Sequence, residues 1–111
     1  HYSSDTKAAG YLEYAQARVR WFLSIDINDV PADVRATGQR TYRSITCEGD
    51  EIEFSGGFTD LHTRSYEEIL NGKGFGLEEN RVAIETVSTI RDTKPLGLSG
   101  DYHPFLKQVI A

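Results

Sequence analysis

The chain has 111 residues, 39% of them apolar and 26% charged, with a formal net charge of -5. That is room for one domain, 1–111, with a modest core, and the acidic balance disfavours a general polyanion binder, which needs a clustered basic surface. No apolar run is long enough to span a bilayer as a helix, and the single cysteine, Cys47, cannot close an intrachain disulfide, which fits a reducing, cytoplasmic setting.

Residues 1–10 are polar and small and read as a tail or an incoming linker. They lack the charged-then-apolar layout of a secretory signal. The chain contains no Met, so the expectation is a piece cut from a longer polypeptide. Residues 11–14 and 18–25 follow. In the second run Val19, Trp21, Leu23 and Ile25 alternate with Arg18, Arg20, Phe22 and Ser24, and period two with β-branched and aromatic residues predicts a strand. One face is apolar and the other mixed, as in an antiparallel sheet with one face on a core. The link Ala15-Gln16-Ala17 suggests a hairpin or a bulge.

Residues 26–38 are rich in Asp, Asn and Pro and read as a loop. Residues 40–47 form the next strand. Glu48-Gly49-Asp50-Glu51 is a hairpin turn in which Gly49 is free to take positive φ. Ile52 and Phe54 share one face of the returning strand, and Gly56-Gly57 ends the sheet. Thr59 or Asp60 then caps a helix to about Asn71, with Leu61, Tyr66, Ile69 and Leu70 as its apolar stripe. Asn71-Gly72 stops it. A second helix spans 78–91, acidic at its start and with Arg91 at its end. Its buried face is Ala83, Ile84, Val87 and Ile90, and Pro95 stops it. The last residues, 96–111, carry mixed signals and no assignment.

Strands followed by helices predict an α+β fold: a mainly antiparallel, open-faced sheet with helices on one face. An open face bearing Trp21, Phe22 or Tyr42 would be a large apolar surface, and such surfaces mark interfaces.

Several residues could carry chemistry. Asp60 and His62 lie two apart at a helix start, with Arg64 and Tyr66 nearby, where exposed backbone N–H groups favour anionic ligands. A simpler reading is a capping Asp and a surface His near Tyr66. Gly72-Lys73-Gly74-Phe75-Gly76 has the spacing of a phosphate cradle, but it links two helices. A dinucleotide fingerprint leaves a strand instead. His1, His62 and His103 show no ligand spacing. Cys47 has no nearby His and reads as a small core residue. Arg18, Arg20, Arg40 and Arg43 could bind anions or pair across an interface; a salt-bridged sheet face is the plainer reading. No Ser-His-Asp set or carboxylate pair stands out.

The strings GYLEYAQARVRWFLSID and TYRSITCEGDEIEFSGGFTDLHTRSYEEILNGKGFGLEENRVAIETVSTIR resemble the C-terminal part of Gfo/Idh/MocA-type oxidoreductases. Within that superfamily they look most like the UDP-N-acetylglucosaminuronate 3-dehydrogenases of bacterial surface-polysaccharide synthesis. The resemblance covers most of residues 7–91. It departs at Val82, where relatives often have proline. It implies a two-domain parent in which an N-terminal Rossmann domain, absent here, binds NAD. The C-terminal domain then shapes the nucleotide-sugar site and forms a homo-oligomer through its open sheet. The implied reaction oxidises the sugar C3 hydroxyl with hydride transfer to NAD, and a 2-oxo acid regenerates the cofactor in some members. The family's Glu-Lys-Pro motif and catalytic His precede the region present, so no catalytic residue carries over and the piece alone is expected to be inactive. By position, Asp60, His62 and Thr63 are the expected substrate-binding residues. The competing reading is a free-standing dimerising or ligand-binding α+β module with no enzymatic role.

Overall fold

The computed structural model describes residues 1–56 and 59–110. They form two compact units, one of His1–Asp29 with Val87–Ala111 and one of Val30–Thr86.

The first unit is built on a three-stranded antiparallel sheet in the order β1-β2-β3, with β1 Tyr2–Ser3, β2 Lys7–Glu13 and β3 Arg18–Ser24. The opening residues are therefore not a tail. Tyr2 pairs with Ala9 and Ser3 with Ala8, and the small side chains read as linker-like are accommodated once a neighbouring strand takes up their backbone groups. The 15–17 link is a hairpin closed by the Tyr14 N–H donating to the Ala17 carbonyl at 2.8 Å.

Register assigns the two faces. Gly10 pairs with Trp21, Leu12 with Val19 and Ala8 with Leu23; Ala9 pairs with Phe22 and Tyr11 with Arg20. Directly opposed residues share a face. The uniformly apolar face, expected on the core, is the open one: Leu23 is 65% and Ile25 80% exposed. The mixed face is the covered one. Ala9 is buried there, Phe22 meets His103 and Phe105, and Leu106 is fully buried. Cover comes from the unassigned C-terminal residues, which end in α4, Leu106–Ile110. Alternation located both faces, but only a segment far along the chain decides which is buried.

At the end of the hairpin, the polar loop is ordered by charge. A 3-10 turn, Ile27–Asp29, brings Asp26 and Asp29 to Lys7, whose Nζ lies 3.3 Å and 2.9 Å from their carboxylates. The Ser24 hydroxyl donates to Asp29 at 2.6 Å, and the Asn28 backbone and side-chain N–H groups both donate to Asp26 at 2.9 Å.

In the second unit α1, Ala32–Ala36, occupies the rest of the expected loop. Strand β4, Ser44–Cys47, pairs antiparallel with β5, Asp50–Glu53, so the strand expected over 40–47 forms only in its second half. Glu48 (φ 51°) and Gly49 (φ 93°) both take positive φ, the signature of the tight turn that matches strand twist. Cys47, expected in a core, is exposed at the end of β4. The hydroxyl of Tyr42 donates to Glu51, and that carboxylate holds the Tyr42 pKa above its usual value.

Two helices follow, α2 Leu61–Leu70 and α3 Leu77–Asp92; α3 begins in the second unit and ends in the first. The Asn71-Gly72 stop holds. Gly72 at φ 72° lets its N–H reach the Ile69 carbonyl at 3.1 Å and the Lys73 N–H reach Glu68 at 2.8 Å, the paired bonds of a left-handed helix terminus. The stripes expected to be buried are not. Leu61, Tyr66, Ile69, Leu70, Ile84 and Val87 are exposed, and only Ile90 is half-buried. Amphipathic periodicity says which face can be buried, not whether a partner lies in the same 111 residues. The fold class is α+β as expected.

Candidate functional site at the start of α2

Asp60, His62 and Thr63 stand together on the first turn of α2, and all three are exposed. Asp60 is the N-cap residue at φ 60°, ψ 19°, a left-handed backbone that Asp adopts more readily than most residues. Its carbonyl takes the Arg64 N–H at 3.0 Å, but its side chain makes no capping bond, contrary to the expected side-chain cap. The left-handed backbone accounts for this, since a capping side chain needs an extended N-cap residue. The first-turn N–H groups of a helix have no partner within it, and no acidic residue sits in this first turn. The carboxylate and the amides are therefore available to an outside ligand. Arg64 pairs with Glu67 at 3.7 Å and Tyr66 is exposed. Gly57 and Phe58, which lead into this turn, lie outside the described residues.

The second helix start is different. The Gly76 N–H donates to the Glu79 carboxylate at 3.0 Å, a side chain three positions into the helix reaching back to the cap. Three amides of the run Gly72–Gly76 are used inside the chain: Gly72 and Lys73 close α2, and Gly76 is held by Glu79. A Cβ on Gly74 would come within 3.0 Å of Ile69, so its lack of a side chain serves helix packing. A dinucleotide pyrophosphate needs free N–H groups at a glycine-rich strand-to-helix turn, and this run does not fit one.

The other candidates are scattered. Arg20 pairs with Asp101 at 3.5 Å, and the Arg43 N–H donates to the Ser55 hydroxyl at 2.7 Å. His1 and His103 lie in the first unit and His62 in the second. Among the described residues no group of three or more His, Cys, Asp and Glu is arranged to hold a metal ion, and no helix is long and apolar enough to cross a membrane. Sequence reasoning passed over two features: the Lys7-Asp26-Asp29 cluster inside the polar loop, and Tyr102-His103-Pro104-Phe105, whose aromatic spacing was the available signal.

No protein-family model matches the chain. Among solved structures, the chain is similar to the WlbA (WbpB) dehydrogenase from Thermus thermophilus. One such structure, in complex with NAD and α-ketoglutarate, matches at 52% identity over 95% of this chain with a TM-score of 0.86. Another, in complex with NAD and UDP-GlcNAcA, matches at 50% identity over the same share with the same score. The resemblance to Gfo/Idh/MocA-type oxidoreductases is borne out. The chain spans about a third, 34%, of the length of those dehydrogenase chains.

Proposed function

We propose that this chain is the substrate-shaping and assembly part of an NAD-dependent oxidoreductase. The parent oxidises the C3 hydroxyl of a UDP-linked N-acetylated sugar acid in bacterial surface-polysaccharide synthesis. The observation that carries this reading is half-identity, over nearly the whole chain, to a dehydrogenase solved with NAD and UDP-GlcNAcA. The 34% span supports a division of labour in which NAD is held by a Rossmann domain outside these residues. The α-ketoglutarate in the other complex supports a 2-oxo acid as the acceptor that regenerates NAD. Such an enzyme works in the cytoplasm, where its nucleotide cofactor and nucleotide-sugar substrate are supplied.

In this reading the first turn of α2 lines the sugar pocket. Free first-turn amides and His62 suit an anionic group of the substrate. Asp60, itself an anion, suits a sugar hydroxyl as donor, with Thr63 beside it. The open face of the three-stranded sheet forms the homo-oligomer contact.

The test uses the full-length enzyme with UDP-GlcNAcA and NAD. His62→Ala raises KM for the nucleotide sugar more than KM for NAD; unchanged kinetics for both would remove His62 from the site. Failure of the full-length protein to reduce NAD with this sugar would sink the reading as a whole.

A further inference from the structure

One strap, residues 101–110, covers the sheet face that carries Ala9, Tyr11, Arg20 and Phe22, and it holds a histidine with no part in the proposed sugar site. The His103 ring stacks on Phe22, centroids 5.9 Å apart at 27°, and meets Phe105 edge-on at 5.2 Å. Its Nδ1 accepts the backbone N–H of Phe105 at 3.2 Å, and its carbonyl accepts the N–H of Leu106 at 3.0 Å. These bonds turn the chain so that Leu106 is fully buried.

The arrangement fixes a protonation state. To accept from Phe105, Nδ1 must keep its lone pair, so the ring is neutral with its proton on Nε2. An imidazolium has N–H at both nitrogens. Protonation would set one N–H against another and leave the Phe105 amide without an acceptor in a half-buried place. We propose that His103 is a pH-sensitive latch, which holds the strap on the sheet when neutral and releases it when protonated.

The surrounding groups favour the neutral ring. Burial lowers the His103 pKa, and Arg20 on β3 lowers it further. Asp101 is the nearby carboxylate on the strap, and it is ion-paired with Arg20. The same sheet face carries Arg18 on β3, Tyr2 on β1, and Glu13, Tyr11 and Lys7 on β2, with Lys7 held by Asp26 and Asp29. The strap adds Tyr102 and Lys107. His1 is the other imidazole nearby, its two ring nitrogens each 3.0 Å from a carbonyl, of Gly97 and of Asp101. A histidine whose docked pKa lies below the ordinary 6.5 contributes its full stabilisation above that pH. The contribution is lost as pH falls through the lowered, docked value.

The experiment is an NMR titration of the full chain from about pH 7.5 to about pH 4.5, spanning the His range. It reads His103 ring shifts and hydrogen-exchange protection factors. The expected result is a His103 midpoint below 6.5 and loss of Leu106 amide protection through that midpoint, while the amides of β2 and β3 stay protected. His103→Asn keeps an acceptor for the N–H two residues on but cannot titrate, so Leu106 protection becomes independent of pH. Should that variant lose its β2 and β3 protection, His103→Phe replaces it: the ring stack remains, the titration is gone, and Leu106 protection again does not vary with pH. A wild-type Leu106 protection that does not vary with pH overturns the latch. The same pH-dependent loss in a variant overturns it too, and assigns the effect to His1 or the carboxylates.

Discussion

Gly10 has no room for a side chain. A Cβ there would lie 2.5 Å from the Trp21 ring across the β2–β3 pair. Gly10→Ala must displace the indole or part the strands, at a cost of about 1–3 kcal/mol, the usual range for overpacking. Because Trp21 is the sole tryptophan, urea unfolding followed by its fluorescence reads the loss as a lower midpoint. The Trp21 Nε1–H is also buried without a partner among the described residues, so its environment is sensitive to any new acceptor nearby. Lys7 gives a second residue-scale prediction. Asp29 first, then Asp26, raises its pKa above 10.5; its contribution is full below that pH and is lost as pH rises through the raised value. The Asn28 backbone N–H, aided by Lys7, holds Asp26 below 3.8; its contribution is full above that pH and is lost as pH falls through the lowered value. Lys7→Met should remove the Lys7 share of the alkaline limb of the stability profile and move the Asp26 midpoint, read by carboxyl NMR, upward. An unmoved midpoint would mean that Asn28 alone sets it.

Among the elements, the end of α2 rests on one backbone conformation. Gly72→Ala places a side chain at φ 72°, which costs about 1–2 kcal/mol for an L-residue. The amides of residues 72 and 73 should then lose exchange protection while those of β4 and β5 keep theirs. This helix end was legible in the sequence because Asn-Gly encodes it locally, as was the Glu48-Gly49 turn. The β2–β3 hairpin and the length of α3 were legible from periodicity. The opening strand β1 was not, because two residues carry no period, and α4 was not, because its burial depends on residues some eighty positions earlier. The start of α2 shows the limit at the candidate site. Composition located Asp60 at the N-cap, but nothing in the sequence foretold its left-handed backbone, which aims the carboxylate away from capping.

For the whole molecule, the open apolar sheet face in the first unit is the surface that oligomerisation would cover. Leu23→Lys and Ile25→Lys put charges on it, and the pair should shift full-length protein to a smaller species in gel filtration. An unchanged elution volume would place the contact elsewhere. The three-stranded sheet also ends at β3, whose outer edge has no strand partner among the described residues. A strand with an unsatisfied ladder and exposed aliphatics is a template for uncontrolled stacking of chains. Arg18 and Arg20 lie on the opposite face of the same strand, with Arg20 ion-paired to Asp101 at 3.5 Å, and charged side chains on an edge strand disfavour edge-to-edge pairing. The charge on β3 therefore opposes uncontrolled pairing at this edge, a physical consequence independent of any substrate.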